Sequence, residues 1–240
     1  MTDPIFITSP RDVKKGDQAL AALERTNDTR FETEDGVLQV DAARWQVAHD
    51  YERFSWLVHN TNLKTDRNEY HADQFNDYNA LPENLGKVIE LGCGPFTNLR
   101  LILPDHPAES VYLLDPLAKA YQQEHPHCAY HDGTLAGHEV NLMASAIEDS
   151  NTRHKFDTLV MVNVLPHCRD ARAVFSFIRS RVRSGGLVVL GEFPREHPAR
   201  LHYDAGHPLA LKAHVLEGFL SEFDEVYRNG WYFIGRAGES

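Results

Sequence analysis

Two glycines one residue apart, Gly92 and Gly94, sit in the stretch "KVIELGCGPFTNLRLIL" (residues 87–103), where an apolar run gives way to a helix-like pattern. Glycine adopts backbone angles that other residues resist and lets a ligand approach the chain closely. The pair therefore marks either a tight turn or a ligand cradle. Asp115 ends the next apolar run, 21 residues after Gly94. That is close to the ~20 that separate a glycine turn from the acid that accepts ribose hydroxyls in a nucleoside-binding strand-helix-strand unit. The order Gly92-Cys93-Gly94-Pro95-Phe96-Thr97-Asn98 lacks the third glycine of a pyrophosphate-binding GxGxxG turn. Glu90, just before the turn, stands badly for an anion and well for a cation. A nucleoside with a sulfonium centre and an amino acid group suits these residues better than a dinucleotide does.

Two further constellations could act on a second reactant. Trp45, Ala48, Glu52 and Trp56 are spaced by three, four and four, which puts one carboxylate and two indoles on one helical face. Glu52 either lies at the margin of a packing stripe and reaches water, or faces a polar pocket. His167, in "NVLPH", and His207 are of the type that takes up a proton near neutral pH. For each, a structural role stays as open as a catalytic one. The fourteen histidines form no HExxH pattern, and His197, His202 and His207, five apart, share no helical face. No metal site is expected.

Elements that alternate down the chain must position these groups. "KVIEL" reads as a buried strand and "PFTNLRLIL" as the helix after it; "SVYLLD" and "PLAKAYQQEH" repeat the pair. "EVNLMAS" is a third strand and "FDTLVMVN" a fourth, the latter with the continuous apolar run of a strand buried on both faces. Ala171, Val174, Phe175, Ile178 and Val182 share a helical face, "SGG" closes that helix, and "GLVVLGEF" is a fifth strand. The alternation predicts a parallel sheet with right-handed crossovers. A helix over "PLALKAHVLEGFLSEF" then precedes "DEVYR", Asn229-Gly230 and "WYFIGR", a hairpin signal. "HADQFNDYNALPENLG" reads as a polar connection, and the first ~35 residues as a loosely packed arm.

A chain of 240 residues with 42% hydrophobic and 25% charged residues is ordinary for a globular protein. No apolar run approaches the ~20 residues that span a bilayer, and the N-terminus shows no export pattern. We expect a cytoplasmic protein with no membrane partner. The net charge of −11 disfavours a nucleic acid partner. Cys93, Cys128 and Cys168 are too scattered for a disulfide framework.

From Lys87 to its end the chain resembles the class I S-adenosylmethionine-dependent methyltransferases. Their acidic-x-Gly-x-Gly motif appears as Glu90-Leu91-Gly92-Cys93-Gly94, their ribose-binding acid as Asp115, their strand-four motif as "FDTLVMVNVLPHCRD", and their paired glycines before strand five as Gly185-Gly186. A narrower similarity, to a bacterial subset, rests on the W-x-x-A-x-x-x-E-x-x-x-W helix, on Asp115-Pro116-Leu117 and on the Asp-x-x-His-Pro segment from Asp204 to Pro208. The resemblance implies a Rossmann-like, doubly wound seven-stranded α/β sheet, mostly parallel with a C-terminal antiparallel hairpin. It implies an N-terminal arm and helical cap over residues 1–80 and the methyltransferase domain over 81–240.

By the same resemblance S-adenosyl-L-methionine is the cofactor, contacted by Glu90, Gly92, Cys93, Gly94, Asp115, Pro116 and Asn163. The adenine-side residue after strand three is one of Ala146, Ile147 and Glu148. Phe96 departs from the family's frequent third glycine and is expected to pack under the ligand. Glu52, His167 and His207 are the expected catalytic residues, with the segment carrying His207 overhanging the site. The leading function is methyl transfer to O, N or C of a small-molecule acceptor. A cofactor-binding regulatory or partner subunit without turnover is the alternative, a nucleotide-dependent oxidoreductase the third reading, and a homodimer stays open.

Overall fold

The computed structural model describes residues 34–57, 66–195 and 206–239. Residues 1–33, which hold most of the expected arm, and His197, His202 and Asp204 lie outside the described residues. The alternating pattern folds as its burial demands. Strands β2 (Lys87–Leu91), β3 (Ser110–Leu114), β5 (His138–Met143), β6 (Phe156–Val162) and β7 (Val182–Gly191) lie parallel, with β2 at the centre between β3 and β6. The chain ends in the antiparallel hairpin of β9 (Asp224–Asn229) and β10 (Tyr232–Arg236), with β10 paired to β7. The Asn229-Gly230 signal thus marks a real turn, with Gly230 at φ +58°.

Among the described residues the sheet has eight strands rather than seven. The addition is β4 (Thr134–Leu135), a two-residue edge strand that folds back on β5, giving the order β4-β5-β3-β2-β6-β7-β10-β9. Alternate residues of the central strands enter two cores. Ile89, Leu91, Leu159, Met161, Val188 and Leu190 pack in one with Val174, Phe175 and Ile178 of helix α5 (Ala171–Arg181). Val88, Val160, Val162 and Val189 pack in the other with Leu99 and Ile102 of helix α3 (Leu99–Ile102) and Tyr121 of helix α4 (Ala118–Glu124). This two-sided burial is why "FDTLVMVN" shows no polar alternation.

Four sequence expectations need correction. Helix α3 is one turn rather than the nine residues from Pro95, because Gly92, Gly94 and Thr97 all have positive φ and keep the chain turning until Asn98. The "polar connection" begins inside helix α2 (Asn68–Gln74) and sends Phe75, Tyr78, Leu81 and Leu85 into the second core. Its periodicity is broken by consecutive left-handed residues, Asn76, Asp77 and Tyr78. "SGG" does not close α5, since β7 starts at Val182 directly after Arg181, with Gly185 at φ +70° inside the strand. The last helix, α6 (Ala213–Leu220), begins later than expected, since Ala210–Leu211 (β8) pairs with Gly36–Val37 (β1).

Candidate active site

The carboxyl ends of the parallel strands open into one cavity of about 430 Å³, within the ~300–1,000 Å³ usual for small-molecule sites. Loops after β2, β3, β5 and β6 form its floor. Helix α1 (Ala42–Leu57) and His207 contribute from above.

The glycine turn is built from its neighbours. Gly92 has φ +62°, and a Cβ there would lie 2.4 Å from Val164 Cγ1, so packing as well as conformation requires glycine. Gly94, at φ +56°, would meet nothing within 4 Å; its bare face borders the cavity. Gly94 N and Leu117 N donate to the two oxygens of Asp115, at 3.1 and 2.7 Å. A carboxylate has about four lone-pair sites, so each oxygen keeps capacity for a ribose hydroxyl. Burial holds the Asp115 carboxyl above the usual range, opposed by those two amides. Tyr130 Oη donates to Gly94 O at 2.9 Å and lies 3.6 Å from Cys93 Sγ, so Tyr130 props the turn from behind.

Glu90 is not where the sequence suggested. Its buried carboxylate points beneath the turn and not at a cation. It accepts from Thr97 Oγ1, from Asn98 N and Nδ2 at 2.8 and 2.9 Å, and from Leu99 N at 3.1 Å. Four donors inside the chain consume it, so it fixes the loop's shape and opens α3 by capping free amides. Burial raises its pKa against those bonds.

The remaining expected cofactor residues border the cavity: Gly92, Cys93, Pro116, Ala146, Ile147, Glu148 and Asn163. Glu148 also braces the loop before α5, where its Oε1 accepts from Arg169 N at 2.6 Å and Asp170 N at 3.1 Å. Asn163 takes φ +57° as the chain leaves β6, a conformation asparagine tolerates. Phe96 borders the cavity and packs edge-on against Trp56 and His125, with ring centroids 6.1 and 5.3 Å away. It bridges the glycine turn to the cap.

On the other side Trp45, Glu52 and Trp56 all face the cavity, and Ala48 is buried beneath them. Trp56 Nε1 donates to Glu52 Oε2 at 2.9 Å, and Trp45 Nε1 donates to His167 O at 3.1 Å, so the indoles tie α1 to its own carboxylate and to the β6 loop. His167 Nδ1 lies 2.8 Å from Gly206 O and 3.5 Å from Glu52 Oε1. A carbonyl only accepts, so Nδ1 carries the proton, and in the neutral ring the lone pair falls on Nε2. The His207 ring lies 4.2 Å from that of His167, tilted by 43°. Both histidines and Glu52 therefore meet in one place.

Several wall residues were not foreseen. His49 lies one turn from Trp45 on the same face, a signal the spacing offered; His71 opens the stretch read as a connection, and Arg67 and Asn68 lie just before it. Burial lowers the pKa of His71, whose Nδ1 is 3.0 Å from Tyr232 Oη. Among the described residues no group of three or more His, Cys, Asp or Glu could hold a metal ion.

Residues 89–188 match the family model of a methyltransferase domain. Solved structures repeat the fold. The crystal structure of N-methyltransferase NodS from Bradyrhizobium japonicum WM9 with S-adenosyl-L-homocysteine is 16% identical, with a TM-score of 0.58 over 82% of this chain and 99% of that one. An O-methyltransferase family protein from Burkholderia thailandensis is 18% identical, with a TM-score of 0.59 over 98% of this chain and 75% of the other. A 1,6-didemethyltoxoflavin-N1-methyltransferase from the same species, bound to 1,6-didemethyltoxoflavin and S-adenosylhomocysteine, is 15% identical, with a TM-score of 0.52 over 87% and 98%. Among curated protein sequences, none is similar enough to count as a relative.

The domain match identifies residues 89–188 as a methyltransferase domain, set in the fold that these solved methyltransferases share. The methyltransferase domain makes it an enzyme, and two of these neighbours hold S-adenosylhomocysteine, the demethylated form of the cofactor expected from the sequence.

Proposed function

We propose that this enzyme methylates an O, N or C nucleophile of a small-molecule acceptor in the cytoplasm, with His167 and His207 at the transfer site. The observation that carries this reading is that two side-chain groups share one cavity. Asp115 is bonded to the glycine turn, Glu52, His167 and His207 cluster with one another, and both groups line the same cavity.

The cofactor supplies an electrophilic methyl group when bound. Asp115 has lone pairs for the ribose hydroxyls, Gly94 presents bare backbone, and Leu117 and Ile147 offer apolar wall to the adenine. The acceptor enters under α1 and meets the imidazoles. His167 Nε2 takes the nucleophile's proton, while Gly206 O, with Glu52 nearby, holds the ring by its other nitrogen. Positioning and proton removal are what such a displacement chiefly needs. The acidic net charge supports a small acceptor over a nucleic acid.

The test is release of S-adenosylhomocysteine from S-adenosylmethionine across a panel of small amines, phenols, carboxylates and carbon acids. We expect stimulation by one class, with a loss of about 10²- to 10⁴-fold in turnover in His167→Ala or His207→Ala and little change in cofactor affinity. Normal turnover in both variants would make the imidazoles structural.

A further inference from the structure

We propose that Glu192 is a positioning residue for this reaction: its carboxylate accepts from the amides of Val164 and Leu165 and so holds the turn that presents Asn163 and His167 to the cavity. Glu192 follows the last residue of β7 and is 6% exposed. Val164 N donates to its Oε1 at 2.8 Å and Leu165 N to its Oε2 at 3.0 Å. These amides open the short 3₁₀ turn Leu165–His167 and have no carbonyl of their own turn to bond. Asn163 N donates to Gly191 O at 2.8 Å, so the end of β7 holds three successive amides of the loop.

What hangs from this turn makes the hold functional. Asn163 and His167 border the cavity, and Leu209 N donates to Pro166 O at 3.1 Å, which ties the segment after His207 to the same turn. Val164 also fills the space that a side chain at Gly92 would need. A shift of Val164 is therefore transmitted to the cofactor's glycine turn as well as to His167.

The surroundings of Glu192 are apolar: Met161 and Leu190 from the sheet, Phe175 from α5, Leu216 and Phe219 from α6, and Trp231. Burial, opposed by the two amides, pushes the Glu192 carboxyl up to about 8. The titratable neighbour that registers its charge is the Cys168 thiol, itself held up by burial, then by Glu148, Glu192 and Asp115. Ionised, Glu192 offers two accepting oxygens; protonated, one of them bears hydrogen and accepts poorly. The hold thus tightens as pH rises through about 8.

The inference rests on the reading of His167 given above, and its test separates the two. In wild-type protein without ligand, the Val164 and Leu165 amide resonances and the His167 ring nitrogens are followed by NMR from pH 6 to 9.5, and S-adenosylhomocysteine affinity by calorimetry at both ends. We expect the amides and the His167 ring to share a midpoint near 8, with tighter binding above it. Glu192→Gln should abolish the shared midpoint and weaken binding by about 3- to 10-fold, the scale of one lost hydrogen bond. Amides that titrate while the His167 ring and the affinity stay fixed would reduce Glu192 to a structural role. Amides unmoved by pH would overturn the hold outright. No affinity at any pH would instead fail the methyltransferase reading, and the ligand-free resonances would still decide the role of Glu192.

Discussion

Glu52 shows how far a single side chain's role depends on what it touches. It receives the Trp56 indole at 2.9 Å and lies 3.5 Å from His167 Nδ1 at the cavity wall. It is not part of the buried core. Glu52→Gln keeps the shape and removes the charge beside the imidazole, so it should lower turnover or cofactor affinity while leaving the melting temperature nearly unchanged. A loss of folding without a kinetic effect, by thermal melt and steady-state assay, would return Glu52 to a packing role. Its place on a shared face was legible, because the three-and-four spacing is a local property of a helix. The part played by Glu90 was not. Its partners are the amides of Asn98 and Leu99, brought under it by left-handed backbone at Gly94 and Thr97 that residue types alone do not dictate. Glu192 was invisible for a related reason, since its partner Val164 lies 28 residues earlier and meets it only across two adjacent strands.

The strands were readable as elements because burial on both faces writes itself into composition, as in Lys87–Leu91 and Phe156–Val162. The helices flanking the site were less so: α2 is followed at once by three left-handed residues, and α3 is shortened by the turn before it. That turn separates folding from binding in a testable way. Gly92→Ala would drive a methyl group against Val164 in left-handed backbone, and it should cost about 2–4 kcal/mol of stability. Gly94→Ala meets open space, so it should cost about 1–2 kcal/mol yet lose more cofactor affinity, since its methyl group projects into the site. Thermal melts and calorimetry on both variants check this. Equal effects of the two substitutions on binding and melting would show that the turn does not divide these tasks.

At the scale of the whole molecule, three buried carboxyls, Glu90, Asp115 and Glu192, are held above their usual range by burial. A carboxyl with a raised folded-state pKa favours folding while it is protonated. That advantage is lost as pH climbs from the ordinary carboxylate range toward the folded value, about 8 for Glu192. His71 and His125, lowered by burial, act in the opposite sense, but only as pH falls below 6.5. Between pH 6.5 and 8.5 the melting temperature should therefore fall, and Glu192→Gln should flatten the decline; a rise over that interval in scanning calorimetry would contradict the assignment. The central claim, that the strand ends hold S-adenosylmethionine through Asp115, is tested most directly by calorimetric titration with S-adenosylhomocysteine. The account predicts saturable binding by the wild-type chain and a loss of about 1–3 kcal/mol in Asp115→Ala, the worth of charge-assisted hydrogen bonds to the ribose. Unchanged affinity in that variant, or binding of NAD in preference, would contradict it.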